Sequence, residues 1–212
     1  MKAIAKVLLH GTAAAAMIAA AAEPIQLPPP DTTGGRPLMQ ALKARRSTRN
    51  FDPKPLPRQV LSNLLWAAFG VNRPDRGMRT APSAWNQQEI DIYVFTADGV
   101  FLYLPTRHAL HPVLAGDHRA ATGTAPYAAR APVSLVYVAD HGRTPRTPVW
   151  EKEKFAYAHV GFIGQNVYLY CASEGLGAVI HASIDAPPLA RLLGLRRDQQ
   201  IILAQAVGYP AR

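Results

Sequence analysis

From Phe155 to Ser173 the chain runs for nineteen residues without one Asp, Glu, Lys or Arg. Ala156, Val160, Ile163, Val167 and Tyr170 recur at helical spacing on one stripe, and Phe155, Phe162 and Leu169 on another. A helix here has little surface suited to water. Its length is close to the roughly 20 residues of a membrane span. Gln165, Asn166, His159 and three tyrosines argue against hydrocarbon as the surrounding. The stretch is therefore expected at a domain centre or a subunit interface, with Gly161 and Gly164 admitting close neighbours, and the rest of the chain has to be built around it.

The other segments supply a shell. Pro37 to Arg45 reads as a short helix with Leu38, Ala41 and Leu42 on one face, and Pro57 opens a second whose apolar residues run from Val60 to Phe69 before Gly70 closes it. Val71 to Gln88 has no regular period, and a loop of that length inside a compact domain is usually functional or disordered. Glu89 to Thr96 alternates in β fashion, Ala97-Asp98-Gly99 turns, and Val100 to Leu104 returns as a hairpin. Pro132 to Ala139 is a further strand. Gly175 and Gly177 end the uncharged helix, and Ala178 to His181 is a strand. Asp185 is expected to cap a short helix through Leu193, and Gln200 to Val207 is the last strand, closed by Gly208-Tyr209-Pro210. Strands and helices mix without strict βαβ alternation, which predicts an α+β sandwich.

At 212 residues, 49% hydrophobic and 17% charged, the chain can bury one substantial core. Residues 1–22 read as a secretory signal: Lys2 and Lys6, an Ala-rich apolar run, and small residues at Ala20-Ala21-Ala22. Cleavage there predicts a periplasmic or secreted protein with no membrane segment, and takes the formal charge from +9 to +7. Residues 23–36, with Pro24, Pro28, Pro29 and Pro30, read as an extended Pro-rich linker, so the fold is expected over 37–212. The positive charge is scattered and no zinc-finger spacing, aromatic RNA-binding signature or polybasic tail accompanies it, which argues against nucleic acid. His108-x-x-His111 lacks an acid or cysteine at a metal-binding spacing, so these histidines, with His118, are expected in loops or at the surface. Single Cys171 is expected to be an inert core thiol.

Arg45-Arg46-Ser47-Thr48-Arg49-Asn50-Phe51 places three guanidinium groups and a hydroxyl within five positions. Guanidinium forks match phosphate oxygens two at a time, so an anion is the natural partner. Three weaker features follow in order: Ala81-Pro82-Ser83-Ala84-Trp85-Asn86-Gln87-Gln88, then Ser173-Glu174-Gly175-Leu176-Gly177, then Gly208-Tyr209-Pro210. Taken together they resemble the nitroreductase-like flavoprotein family, and among its compact members those similar to the thiazole- and oxazole-forming peptide oxidase domains. The resemblance runs from about Pro37 to Arg212.

It implies a sandwich with a central mixed, mostly antiparallel sheet flanked by helices, and a homodimer with FMN at the interface. Arg45, Arg46, Ser47 and Arg49 would hold the FMN phosphate, ribityl chain and N1/O2 edge. Pro82, Ser83 and Asn86 would reach the ring from the other subunit, and Glu174 with Gly175 would bring backbone N–H near N5. The family often carries a basic pair after Gly-Tyr-Pro that reaches phosphate, of which this chain offers Arg212. The implied activity is FMN-dependent oxidoreduction in ping-pong fashion, from a donor such as NAD(P)H to a nitroaromatic, quinone or similar small molecule. A flavin oxidase or dehydrogenase of a small molecule or peptide heterocycle, and a flavin-binding protein without turnover, are the alternatives. In the enzyme readings a fixed cation beside N1 and O2 stabilises the charge of reduced flavin, and no side-chain acid or base is obligatory.

Overall fold

The uncharged stretch is the inner part of a longer helix. In the computed structural model, which describes residues 23–211, helix α4 spans Val149–Glu174, after the short α3 (Pro126–Arg130), and the first turns of α4 carry Glu151, Lys152, Glu153 and Lys154. Glu151 lies in the first turn, where the helix dipole favours negative charge. Ala156, Val160, Ile163, Val167 and Cys171 are fully buried along the side that faces the sheet and the helices α1 (Leu38–Ala44) and α2 (Arg58–Phe69). The secretory signal expected at residues 1–22, and Arg212, lie outside the described residues.

The sheet is built from β1 (Ile25–Gln26), β2 (Phe51–Asp52), β5 (Ile90–Phe95), β6 (Gly99–Leu104), β7 (Ala109–Ala115), β8 (Val133–Asp140), β9 (Gly177–His181) and β10 (Gln199–Pro210). Its order is β1-β7-β6-β5-β8-β10-β2, with β9 also on β10, and these pairs are antiparallel. Parallel character enters through one isolated bridge, Ser47 to Ala178. Every residue of β8 is buried, as a strand covered on both faces requires. One face packs on α4. The other is covered by α5 (Ala186–Leu192), whose Leu189, with Leu193, meets Phe95, Val136, Val138 and Ala204. The architecture is thus the expected α+β sandwich.

One polar side chain ties sheet to helix. Gln205 is fully buried on β10, accepts from Tyr137 Oη at 2.6 Å, and donates to the Gly164 carbonyl at 3.2 Å. Gly164 leaves room for the side chains of both strands: a Cβ there would lie 2.8 Å from Ile180 Cδ1 on β9 and 3.4 Å from Gln205 Oε1 on β10.

Four local expectations are corrected. Residues 23–36 are not a free tether: β1 pairs with β7, Leu27 is buried, and the segment lies along α2 as a strap. Its carbonyls and amides meet one polar face of that helix. Arg58 Nη2 donates to Gln26 O (2.6 Å), Gln59 Nε2 to Pro29 O (2.8 Å), and Ser62 Oγ to Pro28 O (2.5 Å), while the Asp31 N–H donates to Asn63 Oδ1 (2.9 Å). Prolines deny the strap N–H donors, so its carbonyls are answered by side chains. Second, Gly208-Tyr209-Pro210 does not close the last strand but belongs to it, pairing with Phe51-Asp52. Third, Asp185 makes no side-chain cap on α5. Fourth, His108 is half-buried and packed in: it contacts Ser62 Oγ at 2.7 Å and Tyr103 Oη at 2.9 Å. The expected loop 71–88 contains a small ribbon, β3 (Val71–Arg73) with β4 (Met78–Arg79), and a short 3₁₀ turn at Ala84–Asn86.

Candidate functional site

The arginine stretch follows α1 directly, with Arg45 as its C-terminal cap residue, and is drawn onto the sheet. Thr48 N–H donates to the Ala178 carbonyl at 2.9 Å, and Ser47 bridges the same residue. Gly177 makes this approach possible: a Cβ there would meet Thr48 Cβ at 2.6 Å. Tyr168, on α4, supports the stretch from below. Its hydroxyl accepts from Ile180 N–H at 2.9 Å and lies 3.0 Å from Ser47 Oγ, while the Arg45 guanidinium stacks 5.3 Å above its ring. On the far side β2 pairs with Tyr209 and Pro210. The motifs at 45–51, 173–177 and 208–210 therefore meet.

Between them lies a cavity of about 410 Å³ lined by Arg36, Lys43, Arg45, Arg46, Tyr168, Gly175 and Pro210, among others. Among the described residues no acidic side chain lines it, and none of these four cations takes part in an ion pair. The C-terminal ends of α1 and α4 also border it, each contributing about half a negative charge. Against four formal positive charges that leaves a clear surplus, which an anion such as a phosphate would answer. Gly175 stands at φ 72° with open space where a Cβ would be, so a ligand can come close to the backbone. These residues fit an anionic cofactor.

The expected site residues divide accordingly. Arg45, Arg46 and Gly175 line this cavity, with Ser47 beside it through Tyr168. Arg49 is exposed and outside the lining. Glu174 lines a neighbouring cavity of about 460 Å³ between the strap, α2 and α4, and Arg36 borders both. Pro82, Ser83 and Asn86 lie outside the lining of the first cavity and sit on the turn before β5. One expected detail is corrected: Gly175 N–H is not free, because it closes the helix on the Cys171 carbonyl, which also accepts from Leu176 N–H at 2.8 Å. Cys171 itself is inert, its thiol pushed well above its ordinary value by full burial.

Sequence reasoning missed Arg36, Lys43 and Tyr168. Arg36 and Lys43 look like ordinary surface charges until the strap and α1 turn them inward. Tyr168 carried a usable signal, since Gly164, Tyr168 and Cys171 share one helical face at i, i+4 and i+7.

The fold is an α+β sandwich with an acid-free cationic pocket at the end of its central helix, a site whose charge suits an anionic group. The sequence profile of the Nitroreductase family matches residues 42–209, and the chain belongs to that family. A protein named as a nitroreductase in Methanocaldococcus jannaschii is 38% identical over 154 residues, 67% of this chain and 76% of the relative. A crystal structure from Ralstonia eutropha JMP134, also named as a nitroreductase, is 43% identical with a TM-score of 0.86, covering 98% of this chain and 97% of that one. The NADPH:FMN oxidoreductase of Vibrio harveyi, solved with NAD+, shares the fold at 21% identity, with a TM-score of 0.62 over 82% of this chain and 69% of that one.

Proposed function

We propose that the protein is an FMN-dependent oxidoreductase that works as a homodimer and passes reducing equivalents from a donor such as NAD(P)H to a nitroaromatic, quinone or similar small acceptor. The observation that carries this reading is the acid-free cavity lined by Arg36, Lys43, Arg45 and Arg46 at the open Gly175 turn. Family membership supports the oxidoreductase class, and the Vibrio harveyi relative supports the cofactor by its name.

Arg36, Lys43, Arg45 and Arg46 would hold the phosphate. Ser47, fixed by Tyr168, would meet the ribityl chain, and Arg49 is assigned to the N1/O2 edge. Pro82, Ser83 and Asn86 of a second copy would cover the ring. FMN, when bound, supplies hydride and electron transfer. A cation beside the ring, the role given to Arg49, would favour the negatively charged reduced state and raise its potential. The Gly175 cap leaves close approach, without a free N–H, as its contribution.

Exposed apolar side chains favour a dimer. Leu38 and Met39 on α1, and Trp150, Tyr157 and Phe162 on α4, face outward, with Trp150 83% exposed. Export through residues 1–22 is part of the same reading; N-terminal sequencing of the mature protein should give Glu23 as the first residue. A periplasmic location would make free NAD(P)H scarce, so the natural donor is a separate question for assay.

Titration of purified protein with FMN, followed by flavin absorbance before and after dithionite or NADPH, tests the proposal. Binding and reduction are expected, and the Arg45→Ala, Arg46→Ala pair should weaken FMN by about tenfold or more, as loss of charge-assisted hydrogen bonds does. Protein that takes up no FMN overturns the reading. Peroxide formation measured against nitro reduction then separates oxidase from reductase.

A further inference from the structure

The turn that carries Ser83 and Asn86 is built against backbone preference: Trp85, Asn86 and Gln88 stand at φ 51°, 55° and 52°. L residues seldom adopt this conformation, and it persists only where surrounding contacts hold it. Some of the hold is internal, since Gln88 N–H donates to Ser83 Oγ at 3.0 Å and Gln88 Nε2 to Asn86 Oδ1 at 2.9 Å. From outside, the Gln87 side chain donates to Thr147 Oγ1 and accepts from Arg146 N–H, and the Gln88 side chain accepts from Arg79 Nε and donates to the Gly77 carbonyl, while the turn's backbone is held from α4, where His159 Nε2 accepts from Ala84 N–H at 2.9 Å. A backbone N–H can only donate, so Nε2 is bare and the ring proton sits on Nδ1, which donates to Glu89 Oε1. His159 and Glu89 are 3% and 1% exposed. Glu89 Oε2 has no partner among the described residues, so the side-chain bond this buried carboxylate makes is the one to His159. Its backbone carbonyl is held as well, by Asp140 N–H at 2.9 Å and Arg143 Nη2 at 2.9 Å, which anchors the foot of the turn to β8.

We infer that His159, oriented by Glu89, is a positioning residue that fixes the 83–88 turn in the shape presenting Ser83 and Asn86 to the cofactor. The first half concerns this chain alone; the second rests on the proposed flavin site. An uncharged-looking helix thus carries one polar contact whose task is to set a distant turn, and a carboxylate is buried to fix which nitrogen faces it.

Amide hydrogen exchange of the cofactor-free protein, with FMN titration of the same samples, tests both halves. His159→Phe should speed exchange in peptide 82–88 by about tenfold while β8 and β10 keep wild-type protection, and should weaken FMN by about tenfold, each a lost buried hydrogen bond. His159→Gln, whose amide offers an acceptor and a donor, should bring both back to within about threefold of wild type. If His159→Phe does not fold, Ala84→Pro removes the donated N–H from the turn side and carries the same two expectations. Unchanged exchange at 82–88 overturns the hold. So does equal loosening of 82–88 and the sheet, or a His159→Gln variant no better than His159→Phe. Faster exchange at 82–88 with wild-type FMN affinity overturns the cofactor role alone, and wild-type protein that takes no FMN instead marks failure of the flavin reading.

Discussion

At the level of single residues, two small features govern where the cationic stretch sits. Gly177 is needed because Thr48 occupies the space of its side chain, and Thr48 is β-branched and hydrogen-bonded through its backbone to Ala178, so it cannot step aside. Gly177→Ala should cost about 1–3 kcal/mol in a urea melt, the usual range for overpacking. It should also weaken FMN, because Ser47 and Arg46 move with Thr48. Tyr168→Phe removes the acceptor of Ile180 N–H and should cost about 1–3 kcal/mol as an unpaired donor. Its contact with Ser47 is lost as well, so FMN affinity should fall without loss of the folded state; circular dichroism with FMN titration checks both.

At the level of elements, the strap is the main departure from the sequence reading. A run of prolines and polar residues has no periodicity, so nothing local announces that its carbonyls will be met by Arg58, Gln59 and Ser62. The signal was on the partner element: those side chains, with Asn63, form one face of α2 at i, i+1, i+4 and i+5. His108 sits under the strap, and burial lowers its pKa from the ordinary 6.5, with the Pro28 carbonyl acting in the opposite sense. A histidine held neutral in the folded state binds fewer protons than in the unfolded state. Its contribution is therefore present above pH 6.5 and is lost as pH falls through the lowered folded value. Limited proteolysis within residues 24–36 should quicken between pH 7 and pH 5. Ser62→Ala should give the same quickening at pH 7, with the main sheet still protected.

Over the whole molecule, what remains exposed is as informative as the core. Leu38 and Met39 on α1, and Tyr157 and Phe162 on α4, are apolar yet outward-facing, on two helices that pack against one another. A stable dimer buries on the order of 1,200–2,000 Å² in total, and such residues are its natural centre. Met39→Glu with Phe162→Glu should shift the protein to monomer in sedimentation experiments and abolish tight FMN binding, because Pro82, Ser83 and Asn86 would lose the neighbouring copy they are proposed to serve. The sequence was sufficient for the helix at 155–173, the hairpin at 89–104, and the strands at 132–139 and 178–181. Each depends on periodicity or on the chemistry of adjacent residues. Folding alone settled that the strap packs, that Gly-Tyr-Pro is strand paired with Phe51-Asp52, that Arg36 and Lys43 join the arginine cavity, and that Glu89 meets His159. These are contacts between residues far apart in the chain, and no local pattern of charge or hydrophobicity records which polar side chain another segment will bring to it.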